Sequence, residues 1–200
     1  MFSFISDTDY YLFQLINQEW TNPLFDVVMP FARNQFTWVP VYFFLILFGY
    51  AHFRKKLLLW IGFFLLTFAL TDLISTQVFK AYFERPRPCW NTATLSHVRM
   101  LIPCSHAFGF VSSHAANHFG ISTFLFLTLN PFFRKRQLSI VFLWALLVSF
   151  AQVYVGAHFP GDVTGGALLG ILLGGITGKL STRYLRLEKF EPKVQAPRIK

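Results

Sequence analysis

The stretch LLLWIGFFLLTFALTDLISTQVF, residues 57–79, is apolar almost throughout and contains a single ionisable side chain, Asp72. At about 1.5 Å per residue, a helix of this length crosses a hydrocarbon core of about 30 Å. An ionisable residue inside such a helix is costly unless it is paired or functional. The stretch therefore predicts a transmembrane helix. We expect Asp72 either to support a functional site by hydrogen bonding or to form a structural pair.

Further apolar runs on both sides of this stretch predict the same kind of element. Hydrophobic residues make up 54% of the chain and charged residues only 14%, unlike the composition of soluble domains. One bundle uses most of the 200 residues, so no second folded domain is expected. We predict an all-α, polytopic membrane helix bundle of about five transmembrane helices within 36–180. The five runs are 38–53, 57–79, 114–129, 138–155 and 163–180.

The two ends of the chain have a different character. The segment 1–35 mixes aromatic and polar residues and is interrupted by Pro23, which favours two interfacial amphipathic helices, with a sixth span as the alternative. Asp7 and Asp9 argue against a cleavable signal peptide, because its n-region is basic. The segment 181–200 is predicted to be a basic cytoplasmic tail.

The distribution of cations predicts the orientation. Most of the 18 Lys and Arg residues lie in the connections 54–56 and 134–136 and near the C terminus. Cytoplasmic segments of membrane proteins are enriched in cations, so these three segments are placed in the cytoplasm. We predict a multi-pass protein of the cell (inner) membrane whose opposite side faces the periplasm or exterior. The net charge of +9 is therefore a topology signal, and no nucleic-acid partner is expected.

The connection 80–113 is polar and lies on the predicted outer side, yet it contains several cations, which the charge rule does not predict there. Cations on the outer side are better explained by an anionic ligand than by topology. Long connections in small proteins are usually functional, so we expect an out-facing catalytic loop here. The four cations are Lys80, Arg85, Arg87 and Arg99.

Cys89 and Cys104 are the only cysteines, and both lie in this connection. In an oxidising compartment a bridge between them would close the loop and hold Arg87 near Ser112. A disulfide is therefore predicted, with a stabilisation of about 3 kcal/mol on the chain-entropy model.

Glycines recur every four residues in the last run, a spacing that lets another helix approach closely. Packing inside the bundle and a homodimer through this face both fit the pattern. The glycines are Gly166, Gly170, Gly174 and Gly178.

Three short motifs fall on the predicted outer side of the membrane. They are Lys80 with Arg87 and Pro88, Ser112 with Ser113 and His114, and His158 with Asp162. Together and in this order they resemble the type 2 phosphatidic acid phosphatase family of membrane lipid phosphatases. That family has Lys, six residues, Arg-Pro; then Pro-Ser-Gly-His; then Ser-Arg, five residues, His, three residues, Asp.

The resemblance implies a metal-independent hydrolysis through a phosphohistidine. It implies that His158 is the nucleophile, that Asp162 orients it and that His114 is the general acid and base. A histidine held in one tautomer by a carboxylate is a competent nucleophile, and cations stabilise the transferred phosphoryl group. Neither a cofactor nor a metal ion is expected. The implied substrate-binding residues are Lys80, Arg87, Ser112, Ser113 and Gln152.

The chain departs from the family pattern at several positions. Val111 and Ser113 replace Pro and Gly, which is tolerable where backbone N–H groups at a helix start bind the anion. Ala151 and Gln152 replace Ser-Arg, so a neutral amide stands where a bidentate guanidinium is expected. Arg85 or Arg99 could supply the missing charge.

The expected substrate is a lipid phosphate or diphosphate in the outer leaflet, with undecaprenyl diphosphate favoured by analogy. Two alternatives remain open. A non-hydrolytic lipid-phosphate binding or transport protein would use the same cations without turnover. A lipid phosphotransferase would use the same histidine and pass the phosphoryl group to an acceptor other than water.

Overall fold

The computed structural model describes residues 2–92, 94 and 96–185, and the described part is helical without strands. Most of the predicted tail therefore lies outside the described residues. The longer helices are α1 (Phe2–Gln14), α2 (Pro23–Arg33), α3 (Val39–Phe53), α4 (Leu57–Leu73), α5 (Ser113–Thr128), α6 (Ile140–Tyr154) and α7 (Pro160–Leu185).

Helices α3 to α7 coincide with the five apolar runs. A 3-10 turn at Arg54–Lys56 separates α3 from α4, and α4 continues as a π-helical segment, Ile74–Lys80. Three helical stretches of the described chain are long and apolar enough to cross a membrane, namely Gln35–Trp90, Lys135–Tyr154 and Pro160–Leu185. The first includes both α3 and α4. The chain is thus an all-α membrane bundle, and the number of crossings stays a prediction.

Helix α5 is the centre of the bundle. Most of its side chains are buried, and its most extensive contact is with α7. The glycine ridge of α7 makes this contact: a Cβ on Gly170 would overlap the carbonyl oxygen of Ala116, and one on Gly174 would overlap that of Gly120. The structure thus shows the ridge packed inside the bundle. A homodimer through the same face stays a prediction and would require α5 and α7 to separate.

The N-terminal helices pack against the turn between α6 and α7. Pro23 stands at the first position of α2, and the Asn22 side chain caps the helix by accepting from the Phe25 N–H. From α2, Met29 and Ala32 are buried in a cluster with residues of α6. The side chain of Phe13 in α1 is fully buried against Phe159. One side of segment 1–35 thus belongs to the core of the protein, and its membrane-interface location stays a prediction.

The connection between α4 and α5 is tied down at several points. Cys89 and Cys104 form a disulfide with a Cα–Cα distance of 6.2 Å. Arg99 donates to Asp26 of α2 through both terminal nitrogens, at 2.9 and 2.8 Å. The backbone N–H of Gly109 donates to the carbonyl of Arg85 at 2.7 Å. These contacts hold the loop over the end of the bundle where α5 and α7 begin.

Candidate active site

His158 lies in the turn between α6 and α7. Gly156 adopts a φ of +84°, which is in the region that favours glycine, and allows the chain to reverse there. The backbone N–H of His158 then donates to the carbonyl of Gln152 at 3.2 Å. The His158 side chain is almost fully buried. Burial lowers its pKa to about 4, although the hydrogen bond to Asp162 acts in the opposite direction and raises the pKa. The imidazole is therefore neutral at pH 7.

Asp162, in the first turn of α7, is fully buried and receives three donors. One carboxylate oxygen lies 3.4 Å from Nδ1 of His158 and accepts the backbone N–H of Phe159 at 3.0 Å. The other accepts from Nη1 of Arg85 at 2.7 Å. A carboxylate only accepts hydrogen bonds, so Nδ1 of His158 carries the proton and Nε2 keeps its lone pair.

The Ser112-Ser113-His114 motif begins α5 beside this pair. Ser112 is buried; its hydroxyl caps the helix, and its N–H donates to the Asp162 carbonyl at 2.9 Å. In the described chain the backbone N–H groups of Ser113 and His114 have no hydrogen-bond acceptor, as expected for a helix start. The half-buried His114 lies in the first turn of α5, two residues after the Ser112 N–H that bonds the Asp162 carbonyl.

Two of the predicted phosphate ligands are cations without an acidic partner. Lys80 ends the π-helical continuation of α4, and Arg87 follows in the loop; both are half-buried. Among the described residues neither makes an ion pair, and Arg87 donates only to the carbonyl of Ala107, at 2.7 Å. The positive charges of Arg87 and Lys80 both lower the pKa of His158. The Arg87 side chain also lies close to Asp162, because a Cβ on Gly109 would be 3.6 Å from Arg87 Cγ and 3.0 Å from Asp162 Oδ2. Half-buried cations without an acidic partner are suited to bind an anion, so this arrangement is a candidate anion site.

The two arginines expected to replace the missing guanidinium are used elsewhere, which corrects that expectation. Arg99 pairs with Asp26 and stacks over Tyr154, with its guanidinium carbon 5.2 Å from the ring centre. Arg85 bridges Asp9 and Asp162 behind the histidine. Gln152 is fully buried, and the cation in contact with it is Arg33, whose Nε donates to Oε1 of Gln152 at 3.3 Å.

Two residues of the N-terminal segment reach the site. Neither belongs to the three motifs, so the sequence predicted no role in the site for them. Arg33 is one. The other is Asp9, which is 6% exposed and accepts from Arg85 Nη2 at 2.5 Å and from the Gly161 N–H at 2.6 Å. The only sequence signal was an acidic and a basic residue on a segment otherwise expected at the membrane interface.

Asp72 faces an apolar cavity of about 560 Å³ that reaches the site. Its carboxylate accepts from the Asn117 amide at 3.2 Å, and Ser113 and His114 line the same end of the cavity. Exposed side chains such as Phe36 and Leu65 form the outer rim. Asp72 thus forms a hydrogen bond at the polar end of the cavity, and this bond fits both roles expected for it, support of the site and a structural pair.

A helical membrane bundle that presents a buried His–Asp pair to unpaired cations has the features of a membrane phosphatase. The family model "PAP2 superfamily" matches residues 60–185. The chain therefore belongs to the PAP2 superfamily, as its motifs predicted, and is a membrane lipid phosphatase of that family.

Individual relatives agree with this assignment. The chain is 32% identical over 174 residues to a lipid A 4′-phosphatase of Bacteroides thetaiotaomicron, covering 85% of this chain and 75% of the relative. It is 30% identical over 165 residues to the phosphatidylglycerophosphatase B of Bacillus subtilis, covering 80% and 74%. The crystal structure of Aquifex aeolicus LpxE superposes with a TM-score of 0.66 at 32% identity, over 85% of this chain and 94% of that one.

Proposed function

We propose that the protein hydrolyses a phosphate ester of a membrane lipid through a phosphohistidine on His158. The observation that carries this proposal is the buried His158–Asp162 pair facing the unpaired cations Lys80 and Arg87. Phosphoryl transfer asks a protein mainly to position the nucleophile and to neutralise charge on the equatorial oxygens. This geometry meets both demands.

His158 attacks through Nε2. Because Nδ1 faces the Asp162 carboxylate, the lone pair of Nε2 is the one free to attack phosphorus. The neutral state at pH 7 keeps that lone pair available. As the imidazole becomes cationic, the negative charge of Asp162 stabilises it.

Lys80, Arg87 and the first N–H groups of α5 bind the phosphoryl oxygens. Both cations are half-buried, so their interaction with an anion is stronger than it would be in water. The amides of Ser113 and His114 point out of a helix N terminus, where anions are favoured. The Ser112 hydroxyl holds that helix start in place as its cap.

His114 moves the protons. His114 enters this step protonated. As the bond from phosphorus to the lipid oxygen breaks, it donates that proton to the leaving alkoxide and becomes neutral. Water then loses a proton to His114 and attacks the phosphohistidine, which releases inorganic phosphate and restores neutral His158. No residue outside the histidine pair is needed for proton transfer.

The lipid part of the substrate is expected to occupy the cavity between α3, α4 and α5. The cavity is lined mainly by apolar side chains, and its polar end contains His114 and Ser113. An acyl chain there would place a head-group phosphate at the α5 start. The names of two relatives favour a lipid A 4′-phosphate or a phosphatidylglycerol phosphate as substrate. Undecaprenyl diphosphate and the outer-leaflet location stay predictions from the sequence.

The test is phosphate release from these three lipids by the purified protein in detergent with EDTA. We expect turnover to persist in EDTA and to be lost in His158→Ala and His114→Ala. His52→Ala is the matched control, because His52 lies beside Phe132 beyond the far end of α5. Substrate labelled with ³²P should leave an acid-labile, alkali-stable label on wild type and none on His158→Ala.

Other outcomes point to the alternatives. Binding of all three lipids without phosphate release would favour a binding or transport protein. Transfer of the label to a second lipid at the expense of inorganic phosphate would favour a phosphotransferase. Loss of turnover in EDTA that added metal restores would contradict the metal-independent mechanism.

A further inference from the structure

Gln152 is buried in the site with half of its amide unsatisfied. The residue is 0% exposed, and its Oε1 accepts from Nε of Arg33 at 3.3 Å. Its Nε2 has no hydrogen-bond partner among the described residues. A buried amide nitrogen without a partner is costly, and a bound ion or ligand is one explanation for such a group.

Arg33 is a half-buried cation without an acidic partner. It ends α2, and in the described chain it makes no ion pair, and neither of its Nη atoms has a hydrogen-bond acceptor. It lines a small cavity of about 140 Å³ with Arg87 and Ala157, the residue before the nucleophile. Burial and the charge of Arg87 both lower the pKa of Arg33. An anion between the two arginines would offset the cost of burying Arg33 and its repulsion by Arg87.

We propose that Arg33 and Gln152 form a two-residue clamp for the substrate phosphoryl group. The guanidinium comes from α2, Gln152 orients it through Oε1, and both Nη atoms and the Gln152 Nε2 donate to phosphoryl oxygens. The clamp replaces the single arginine that the family pattern has at position 152. This inference deepens the proposed function and rests on it.

The packing of α2 explains why the cation can come from so far away in the sequence. Met29 and Ala32 are buried against Ala151 and Tyr154 of α6, which places the end of α2 beside Gln152. An arginine at position 152 would place a second guanidinium next to that of Arg33. The two arrangements are therefore alternatives, because two unpaired cations in contact repel each other.

The first test measures kcat and KM on the best lipid substrate for a set of variants. Removing one charged donor to the transferred group typically costs on the order of 100-fold, so we expect Arg33→Ala to lower kcat/KM by about that factor. Arg33→Lys keeps the charge but loses the planar, bidentate donor geometry of the guanidinium, so kcat/KM is expected to fall about tenfold. Arg134→Ala is the control, because Arg134 is exposed beyond the far end of α5.

The decisive variant is Gln152→Arg. Combined with Arg33→Ala it should restore at least about tenfold of the lost activity, because the cation returns from α6. Alone, in the presence of Arg33, it should lower activity. A purely structural role of Arg33 would not produce rescue by a cation on another helix. Failure of the double variant to exceed Arg33→Ala, with unchanged thermal unfolding, would overturn the clamp.

A second test separates the clamp from the proposed hydrolysis. Binding of inorganic phosphate to the purified protein is measured by calorimetry, and Arg33→Ala should raise the Kd at least about tenfold. Loss of phosphate binding in Arg33→Ala supports the clamp even if wild type hydrolyses no lipid. Full activity and unchanged phosphate affinity in Arg33→Ala would refute the clamp and leave the hydrolase proposal standing.

Discussion

Replacing Asp162 by Asn keeps the size of the side chain but removes its charge and half of its accepting capacity. The carboxylate receives Nδ1 of His158 and the Phe159 N–H on one oxygen and Arg85 on the other. An asparagine can place its oxygen on only one of these sides. If its oxygen faces Phe159, the amide NH₂ opposes the Arg85 guanidinium. If its oxygen faces Arg85, the NH₂ opposes Nδ1 and moves the imidazole proton to Nε2, the attacking atom.

Both orientations therefore reduce catalysis. Loss of the orienting carboxylate in a His–Asp pair costs about 10⁴-fold in kcat where it has been measured in serine proteases. Arg85 keeps its ion pair with Asp9 in this variant, so the fold should be preserved. We expect Asp162→Asn to lower kcat by on the order of 10³ to 10⁴, or about 4 to 5.5 kcal/mol in the barrier. KM should change much less, because the phosphate ligands are untouched.

Initial rates of phosphate release, measured over a range of lipid concentrations, give kcat and KM separately and so test this prediction. Asp26→Asn is the matched control, because Asp26 also pairs with an arginine but has Arg99 and Tyr154, and neither histidine, as side-chain partners in the described chain. Its kcat should stay within about threefold of wild type, as expected for a site outside the reaction. An Asp162→Asn variant that unfolds normally and retains more than a tenth of wild-type kcat would refute the assignment of Asp162 as the orienting group.

Three further predictions concern titration and stability. The His158 imidazole should remain neutral down to about pH 5, because its folded pKa is about 4, and ¹⁵N NMR with His158→Ala for assignment should detect this. Because the unfolded pKa is about 6.5, this residue's contribution to stability decreases as pH falls below that value, and a folded pKa near 6.5 would contradict the burial argument. Gly174→Ala should destabilise by about 2 kcal/mol, because its Cβ meets a backbone carbonyl, whereas Gly175→Ala, with open space around it, should not. Equal shifts of the two variants in thermal unfolding would be inconsistent with the ridge contact. Reduction of the Cys89–Cys104 bridge should lower stability by about 3 kcal/mol, and indistinguishable unfolding with and without reductant would show that the bridge contributes nothing.

The part of the fold that can be predicted from the sequence is determined by patterns within short segments of the chain. Apolar runs of sufficient length form helices in a membrane because every backbone polar group must be satisfied within its own segment. The helices at 57–73 and 140–154 follow this rule, and their ends lie close to charged or polar connections. The relative order of the three motifs likewise placed His114, His158 and Asp162 at one end of the bundle, where the structure has them.

The sequence by itself determined the helical membrane class, the histidine–carboxylate pair and the cations of the loop, because each is encoded over a few neighbouring residues. Only the tertiary structure decided which cation meets Gln152, since Arg33 lies 119 positions away, and which residue holds Arg85, since Asp9 lies 76 positions away. The sequence offered Arg85 or Arg99 for this role because both are cations of the out-facing loop that contains other motif residues. Contacts between distant residues depend on how α1 and α2 pack against the α6–α7 turn, and no local pattern in the chain specifies that packing.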